Sequence, residues 1–219
     1  MSAHKDSLRA QHPNLTPPAL GGPHRRRTVV VAAFTAFVKS APSSKALGSG
    51  ICVSRDNNTE FFAFATYANF EDMFTAQGSL PSAETMALEH LEYRAQFKPL
   101  MSVVNTNGKT VHEFFRFSVP LKNTEAFVQA ASKLNVMLAT EIKGAAVAVF
   151  QPAAGGGTNE VNVLHVRIVY PDDKSLGMSL DNAFKGGKAG AAFNEMWSLS
   201  TGIASSSVED CEQFSYAKK

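Results

Sequence analysis

Two strand-like runs of the chain each place a histidine and an arginine on one face. The run VNVLHVRIVY carries His165 and Arg167, and the run VHEFFRFSV carries His112 and Arg116. Because side chains alternate between the two faces of a strand, each pair points the same way. An arginine binds a carboxylate, phenolate or enolate, and a histidine can transfer a proton near neutral pH. The spacing predicts a small-molecule site with His112 and His165 as catalytic residues and Arg116 and Arg167 as substrate-binding residues.

The opposite faces of these runs are apolar, through Leu164, Val166 and Ile168 in one and Phe115 and Phe117 in the other. We expect the apolar faces to meet helices. The His/Arg faces then need partners or a wet cavity, because burying unpaired polar groups is costly. A cavity with mixed polar and apolar walls is typical of a small-ligand site. The alternative is a face open to water, as in many antiparallel sheets.

Phe114 shares the face that carries His112 and Arg116. It adds an apolar group to the mixed polar and apolar wall that is typical of a small-ligand site. We therefore add Phe114 to the predicted substrate-binding residues.

Composition excludes several classes of protein. The chain has 219 residues, of which 44% are hydrophobic and 18% are charged, as in an ordinary globular protein. Residues 1–27 carry five of its 21 basic residues and one acidic residue, which leaves a slightly acidic body. That body lacks the basic face of a nucleic-acid-binding protein, so we expect no nucleic-acid partner. We also expect no membrane span, because no segment approaches the ~18 apolar residues it needs.

Two cysteines, Cys52 and Cys211, occur without a CxxC spacing. Two sulfur ligands are too few for a structural zinc site, so we expect no metal. We expect two buried free thiols in a reducing, cytoplasmic compartment, with one disulfide between them as the alternative. A second alternative is an exported or organellar protein. Residues 25–46 run from basic to apolar to small residues, which is the order of a signal peptide.

The elements that must position these residues fall into two similar runs, which follow a disordered basic arm at residues 1–27. The first run, 50–118, reads strand, turn, strand, connection, a helix from Ser82 to Phe97, and a strand at 111–119. The predicted fold class is α+β, with two tandem ferredoxin-like lobes at 28–110 and 111–219. The strand at 111–119 can close the first lobe or open the second.

The second run, 144–216, repeats that order. Between the two runs lies a helix that Asn123 is expected to cap and Gly144 to end. Two strands joined by a glycine-rich loop follow, then a connection, a helix with an apolar stripe from Ala189 to Trp197, and a short final strand.

The order βαββαβ is the ferredoxin-like unit. Residues 86–100 (MALEHLEYRAQFKPL) resemble the second helix of the dimeric α+β barrel superfamily, which includes antibiotic-biosynthesis-monooxygenase-like and stress-responsive barrel proteins. Residues 114–150 are similar to the first strand, helix and second strand of that family. The resemblance implies two units whose antiparallel sheets face each other as an intrachain barrel. It places the following side chains in the layer between the sheets: Phe62, Phe64, Phe114, Val163 and Val169.

The family includes cofactor-independent monooxygenases, and the resemblance implies oxidation of an aromatic or enolisable small molecule. Haem-degrading members carry Trp at the end of the third strand, where this chain has Tyr67 and Tyr170. We therefore expect no cofactor, and we add both tyrosines to the predicted substrate-binding residues. The alternative function is a non-catalytic structural or assembly subunit whose barrel surface binds other protein subunits.

Overall fold

The structure is a computed structural model that describes residues 46–56, 61–76, 95–101, 108–155 and 157–215. The predicted arm at 1–27 and residues 82–94 of the predicted first helix lie outside these ranges. The described elements are β1 (Gly48–Ser54), β2 (Phe61–Thr66), α1 (Phe70–Ala76), β3 (Ala95–Pro99), β4 (Gly108–Ser118), α2 (Thr124–Glu141), β5 (Ala146–Gly155), β6 (Val163–Tyr170), α3 (Asp173–Phe184), α4 (Lys188–Ser198) and β7 (Gly202–Ser215). Short 3-10 turns at Leu121–Asn123 and Gly157–Glu160 precede α2 and β6.

The seven described strands form one antiparallel sheet in the order β2-β1-β7-β4-β6-β5-β3. The sheet curls into a half-barrel, with helices packed on one face. Its four central strands, with α2 between β4 and β5 and α3–α4 between β6 and β7, make one βαββαβ unit. The predicted α+β class with antiparallel strands is confirmed.

The tandem arrangement of two facing sheets is not confirmed. The described strands of the first predicted lobe extend the sheet of the second, because β1 pairs with β7 and β3 pairs with β5. Both β7 and β5 are edge strands of the ferredoxin-like unit, and an open edge offers unpaired backbone groups to an added strand. The residues predicted for an inter-sheet layer therefore lie on strands of a single sheet, and β4 opens the βαββαβ unit.

The main core fills the space between this sheet and the helices. The predicted stripe of α2 is confirmed, since Phe127, Ala131, Leu134 and Leu138 are all buried. Residues spaced by three or four positions share a face of a helix, so the stripe meets the sheet along its length. From β4, Phe117 is 0% exposed and packs its ring 5.4 Å from that of Phe127.

The stripe predicted for α4 is confirmed in part. Ala189, Ala192 and Met196 are buried, whereas Trp197 is 44% exposed. Trp197 contacts the ring of Phe193 edge-on at 6.0 Å and lies at the margin of the core.

The residues that end the helices follow local chemistry. After α2, Gly144 has a φ of 86°, the left-handed conformation that glycine adopts without a steric cost. At the start of α3, the Asp172 carboxylate accepts a hydrogen bond from the backbone N–H of Ser175. The prediction that the Asn123 side chain caps α2 is wrong, because it makes no capping hydrogen bond. Its Nδ2 donates to the Leu199 carbonyl instead.

Several predicted element boundaries are corrected. The predicted helix does not extend through Phe97, because Ala95–Pro99 is a strand paired with the edge of β5. Short runs of this kind fit either period, and pairing to an open edge decides the outcome. The predicted connections contain α1 and α3. The final strand, predicted only over residues 213–216, begins at Gly202.

The prediction of two free thiols is wrong, because Cys52 and Cys211 form a disulfide. The two cysteines are opposite each other in the β1–β7 register, with their Cα atoms 4.0 Å apart. Both are buried, and the bond ties the added hairpin to the last strand of the ferredoxin-like unit.

Among the described residues, no helix has the length and apolar content to cross a membrane.

The packing of Phe117 yields a stability prediction. We expect Phe117→Ala to lower the free energy of unfolding by about 3–5 kcal/mol, because the ring is fully buried. The matched control is Phe184→Ala on α3, where the ring is 92% exposed and the change should stay within about 0.5 kcal/mol. Urea denaturation of both variants measures the difference. Equal losses would contradict the assignment of the core to this side of the sheet.

Candidate functional site

The register of β4 and β6 brings the predicted polar residues together. Phe114 lies opposite Arg167, and Arg116 lies opposite His165. His112, two residues before Phe114, shares their face, which is the sheet face opposite the helices. The predicted division of these strands into an apolar and a polar face is therefore confirmed.

Arg167 is the centre of one cluster on this face. Its Nη1 donates to Glu209 Oε2 at 2.6 Å and lies 3.4 Å from His112 Nδ1. Its guanidinium carbon lies 4.6 Å from the ring centre of Phe114 and 5.0 Å from that of Phe62. Because an arginine held over aromatic faces gains a cation–π attraction, both contacts position the guanidinium.

The contacts of His112 determine which ring nitrogen carries its proton. A guanidinium only donates, so Nδ1 facing Arg167 is an acceptor. The proton of the neutral ring is then on Nε2, which lies 2.9 Å from Thr110 Oγ1 and donates to it. Burial, with the Arg167 charge as a second cause, lowers the pKa of His112 to about 3. His112 is therefore neutral at physiological pH and holds Arg167 in place.

A second cluster surrounds His165. Its Nε2 lies 2.7 Å from Glu160 Oε2, and Arg116 Nη2 donates to the other oxygen of that carboxylate at 3.4 Å. The rings of Phe97 and Phe114 lie 4.5 and 5.2 Å from the imidazole. With Nε2–H donated to Glu160, the neutral ring keeps the lone pair of Nδ1, which a general base requires.

The charges around His165 oppose one another. Burial lowers its pKa to about 4, and the positive charges of Arg116 and Arg167 act in the same direction. Glu160 acts against them, because a carboxylate favours the protonated imidazole. The result is a buried neutral histidine beside a carboxylate able to stabilise the imidazolium.

Phe114 joins the two clusters. Its ring contacts the Arg167 guanidinium and the His165 imidazole, and those two residues are two positions apart on β6. Residues spaced by two along a strand are roughly 7 Å apart, about the width of a fused aromatic ring system. A flat ligand on this face would touch the cation with one end and the neutral base with the other.

The aromatic rings on this face extend to β2, because β1 has a glycine, Gly50, where the Phe64 ring approaches it. Phe62 and Phe64 stack with ring centres 5.9 Å apart. A Cβ atom added at Gly50 would lie 2.5 Å from Phe64 Cζ and 2.8 Å from the Glu212 carbonyl oxygen. Glycine at position 50 therefore allows the Phe64 ring to lie over β1.

The structure does not bring Tyr170 into this site. Tyr170 lies on the helix side of β6, 1% exposed, and its hydroxyl donates to Glu113 Oε2 at 2.7 Å. Burial raises the pKa of both Tyr170 and Glu113, and the hydrogen bond between them satisfies the buried hydroxyl. Tyr67 follows the end of β2, the strand that carries Phe62, and stays a predicted substrate-binding residue.

The sequence reasoning missed the two acidic partners, Glu160 and Glu209. Both are buried, at 7% and 6% exposure. Glu209 meets Arg167 through the sheet register, and Glu160 comes from the 3-10 turn before β6. The sequence offered one signal for them, because Arg116 and Arg167 need anionic partners if they are buried. That need does not indicate where in the chain the partners lie.

A separate cleft of about 410 Å³ lies on the opposite side of the protein, between α2 and α4. It is lined by Gln129, Lys133, Glu195 and Leu199, among other residues. None of the predicted site residues borders it.

Comparison with known proteins identifies the fold. The sequence matches no known protein-family profile and no curated protein. The structure is similar to that of an anthrone oxidase-like protein, with a TM-score of 0.64 and 12% identity over 88% of each chain. It is also similar to a candidate monooxygenase from Lactobacillus acidophilus, with a TM-score of 0.56 and 12% identity over 87% of this chain and 88% of that chain. A candidate monooxygenase from Fusobacterium nucleatum is similar with a TM-score of 0.55 and 13% identity over 88% of this chain and 91% of that chain. At these identities the similarity shows the fold alone, an α+β fold that this chain shares with the three proteins.

The lowered pKa of His165 yields a prediction for acid stability. The unfolded imidazole has an ordinary pKa of 6.5, so between pH 6.5 and about 4 the unfolded chain binds a proton that the folded chain excludes. The contribution of His165 to stability is therefore full above pH 6.5 and falls by about 1.4 kcal/mol per pH unit as the pH drops through that window. We expect His165→Gln, which keeps a donor for Glu160, to lose about 2 kcal/mol less than the wild type between pH 7 and pH 5.

Chemical denaturation at the two pH values measures this difference. Lys133→Gln, on the far side of the sheet, should follow the wild type. Equal losses in the wild type and His165→Gln would show that the imidazole is not buried in its neutral form.

Proposed function

We propose that the polar face of the sheet binds a flat aromatic or enolisable small molecule and oxidises it with molecular oxygen. The observation that carries the proposal is the placement of Arg167 and His165 around Phe114. A positioned cation and a neutral base on either side of an aromatic ring suit a substrate that must lose a proton to become reactive. The monooxygenase-like fold of the similar structures supports the same reading.

The chemistry follows from the two clusters. The substrate ring stacks on Phe114, and the Arg167 guanidinium binds the substrate oxygen, where negative charge develops. His165 Nδ1 accepts a proton from the acidic carbon at the other end of the ring system, and Glu160 stabilises the imidazolium that forms. The resulting enolate is electron-rich and reacts with oxygen. For a methylene carbon, CH2 and O2 become C=O and H2O, which balances atoms and electrons.

Glu209 and His112 act as positioning residues in this scheme. Both contact Arg167 Nη1, and a guanidinium has five N–H donors in all. The contacts to Nη1 therefore fix the plane of the guanidinium while other donors serve a ligand. The proposal assigns no cofactor to the reaction.

The proposed roles predict distinct kinetic effects with anthrone as the probe. Anthrone is a flat ketone whose methylene carbon becomes the carbonyl of anthraquinone with uptake of one O2. We expect His165→Gln to lower kcat by about 10²–10⁴-fold, the usual contribution of a general base. Arg167→Met should lower kcat/KM by about 10²–10³-fold, as expected when a donor to a developing oxyanion is removed.

An oxygen electrode and the absorbance of anthraquinone measure this reaction, with Lys133→Gln as a control that keeps wild-type rates. Binding of anthrone under nitrogen without turnover in air would favour the non-catalytic alternative. Turnover that survives both substitutions would place the chemistry elsewhere on the protein.

A further inference from the structure

The disulfide lies within the Arg167 cluster. Cys52 Sγ is 3.5 Å from Arg167 Nη1, and Cys211 Sγ is 4.0 Å from Glu209 Oε2. Ligand atoms of Cys52, Cys211 and His112 all lie within 4.8 Å of one another, and all three residues are buried. Three strands, β1, β7 and β4, thus bring two sulfurs and an imidazole to one point.

Two thiolates and an imidazole are ligands that Zn²⁺ prefers, and with a carboxylate they exceed the two sulfurs from which the sequence predicted no metal site. In a tetrahedral zinc site the sulfurs lie about 2.3 Å from the metal and therefore about 3.8 Å from each other. Opening the S–S bond would separate the sulfurs to such a distance, and small side-chain movements would bring His112 into range. Glu209, next to Cys211, supplies a carboxylate oxygen as the fourth ligand.

The surroundings match the charge and the orientation that such a site needs. Two thiolates and one carboxylate around Zn²⁺ leave one negative charge, which the adjacent Arg167 cation balances. Metal-bound histidines usually donate their second ring nitrogen to an oxygen partner, and His112 Nε2 already donates to Thr110 Oγ1. The lone pair on Nδ1, which now faces Arg167, is the donor left for a metal.

We propose that Cys52, Cys211 and His112, with Glu209 as the fourth ligand, form a zinc site that opens when the disulfide is reduced. A dithiol supplies two electrons and two protons to the two sulfurs and closes its own disulfide. Metal binding then releases the two thiol protons to solvent. The oxidised chain lacks the thiolates and binds no zinc at this point.

The test uses the full chain, reduced with dithiothreitol and desalted without oxygen, with Co²⁺ as a coloured probe for Zn²⁺. We expect one equivalent of Co²⁺ to bind with a sulfur-to-cobalt charge-transfer band, and Zn²⁺ to displace it. The untreated disulfide form should show no such band. Far-UV circular dichroism checks that the reduced chain keeps its fold.

Variants separate the four ligands from a general affinity of thiols for metals. Cys52→Ser should abolish the band of two thiolates, and His112→Gln and Glu209→Gln should each weaken Co²⁺ binding at least tenfold. The matched control is Glu212→Gln, on the same strand as Glu209 and three residues away, which should bind as the wild type does.

Four outcomes would overturn the proposal. The disulfide could stay closed in excess dithiothreitol, or the reduced chain could stay folded and show no charge-transfer band. His112→Gln and Glu209→Gln could both bind Co²⁺ with wild-type affinity. The reduced chain could also unfold and fail to refold when Zn²⁺ is added.

Discussion

The buried positive charge of Arg167 needs an anionic partner, and this need constrains which strands of the sheet lie close together. The side chain of Arg167 is 11% exposed, and the side chain of its partner, Glu209, is 7% exposed. Removing one partner of a buried ion pair typically costs about 3–5 kcal/mol, because the other charge is left without compensation. β7 must therefore lie close enough to β6, across β4, for Glu209 to reach the guanidinium. The order of the central strands meets this condition.

The same constraint explains why the two ends of the polar face differ. At one end Arg167 faces Glu209, and the neutral His112 completes its surroundings. At the other end Glu160 lies between Arg116 and His165, so the carboxylate there serves both a cation and an imidazole. The first arrangement presents a fixed cation, and the second presents a neutral base with an anion behind it. The ring of Phe114 contacts both the Arg167 guanidinium and the His165 imidazole and so lies between the two arrangements.

The sequence was sufficient to predict features that depend on local period. Alternation along β4 and β6 correctly placed His112, Arg116, His165 and Arg167 on one face, and helical spacing correctly identified the stripe of α2. It was insufficient for features that depend on which edges pair. The strands β1 and β3 carry strand-like patterns whether they form a second sheet or extend the first, and only the open edges of β7 and β5 decide between these. The disulfide depends on the same pairing, since residues 52 and 211 are 159 positions apart. Glu209 reaches Arg167 through the β4–β7 register, and Glu160 lies in the turn before β6.

The pairing of β1 with β7 also connects the two proposed activities of this face. In the disulfide form, the lone pair of His112 Nδ1 and the carboxylate of Glu209 are both engaged by Arg167 Nη1. A metal ion held by the two thiolates would compete with Arg167 for both groups. The guanidinium would then keep its contacts with the rings of Phe62 and Phe114 but lose the two contacts that fix its plane. Zinc binding would therefore leave His165 and Glu160 in place while altering the cation at the other end of the polar face. The redox state of the Cys52–Cys211 bond would thus determine whether His112 and Glu209 position Arg167 or bind zinc.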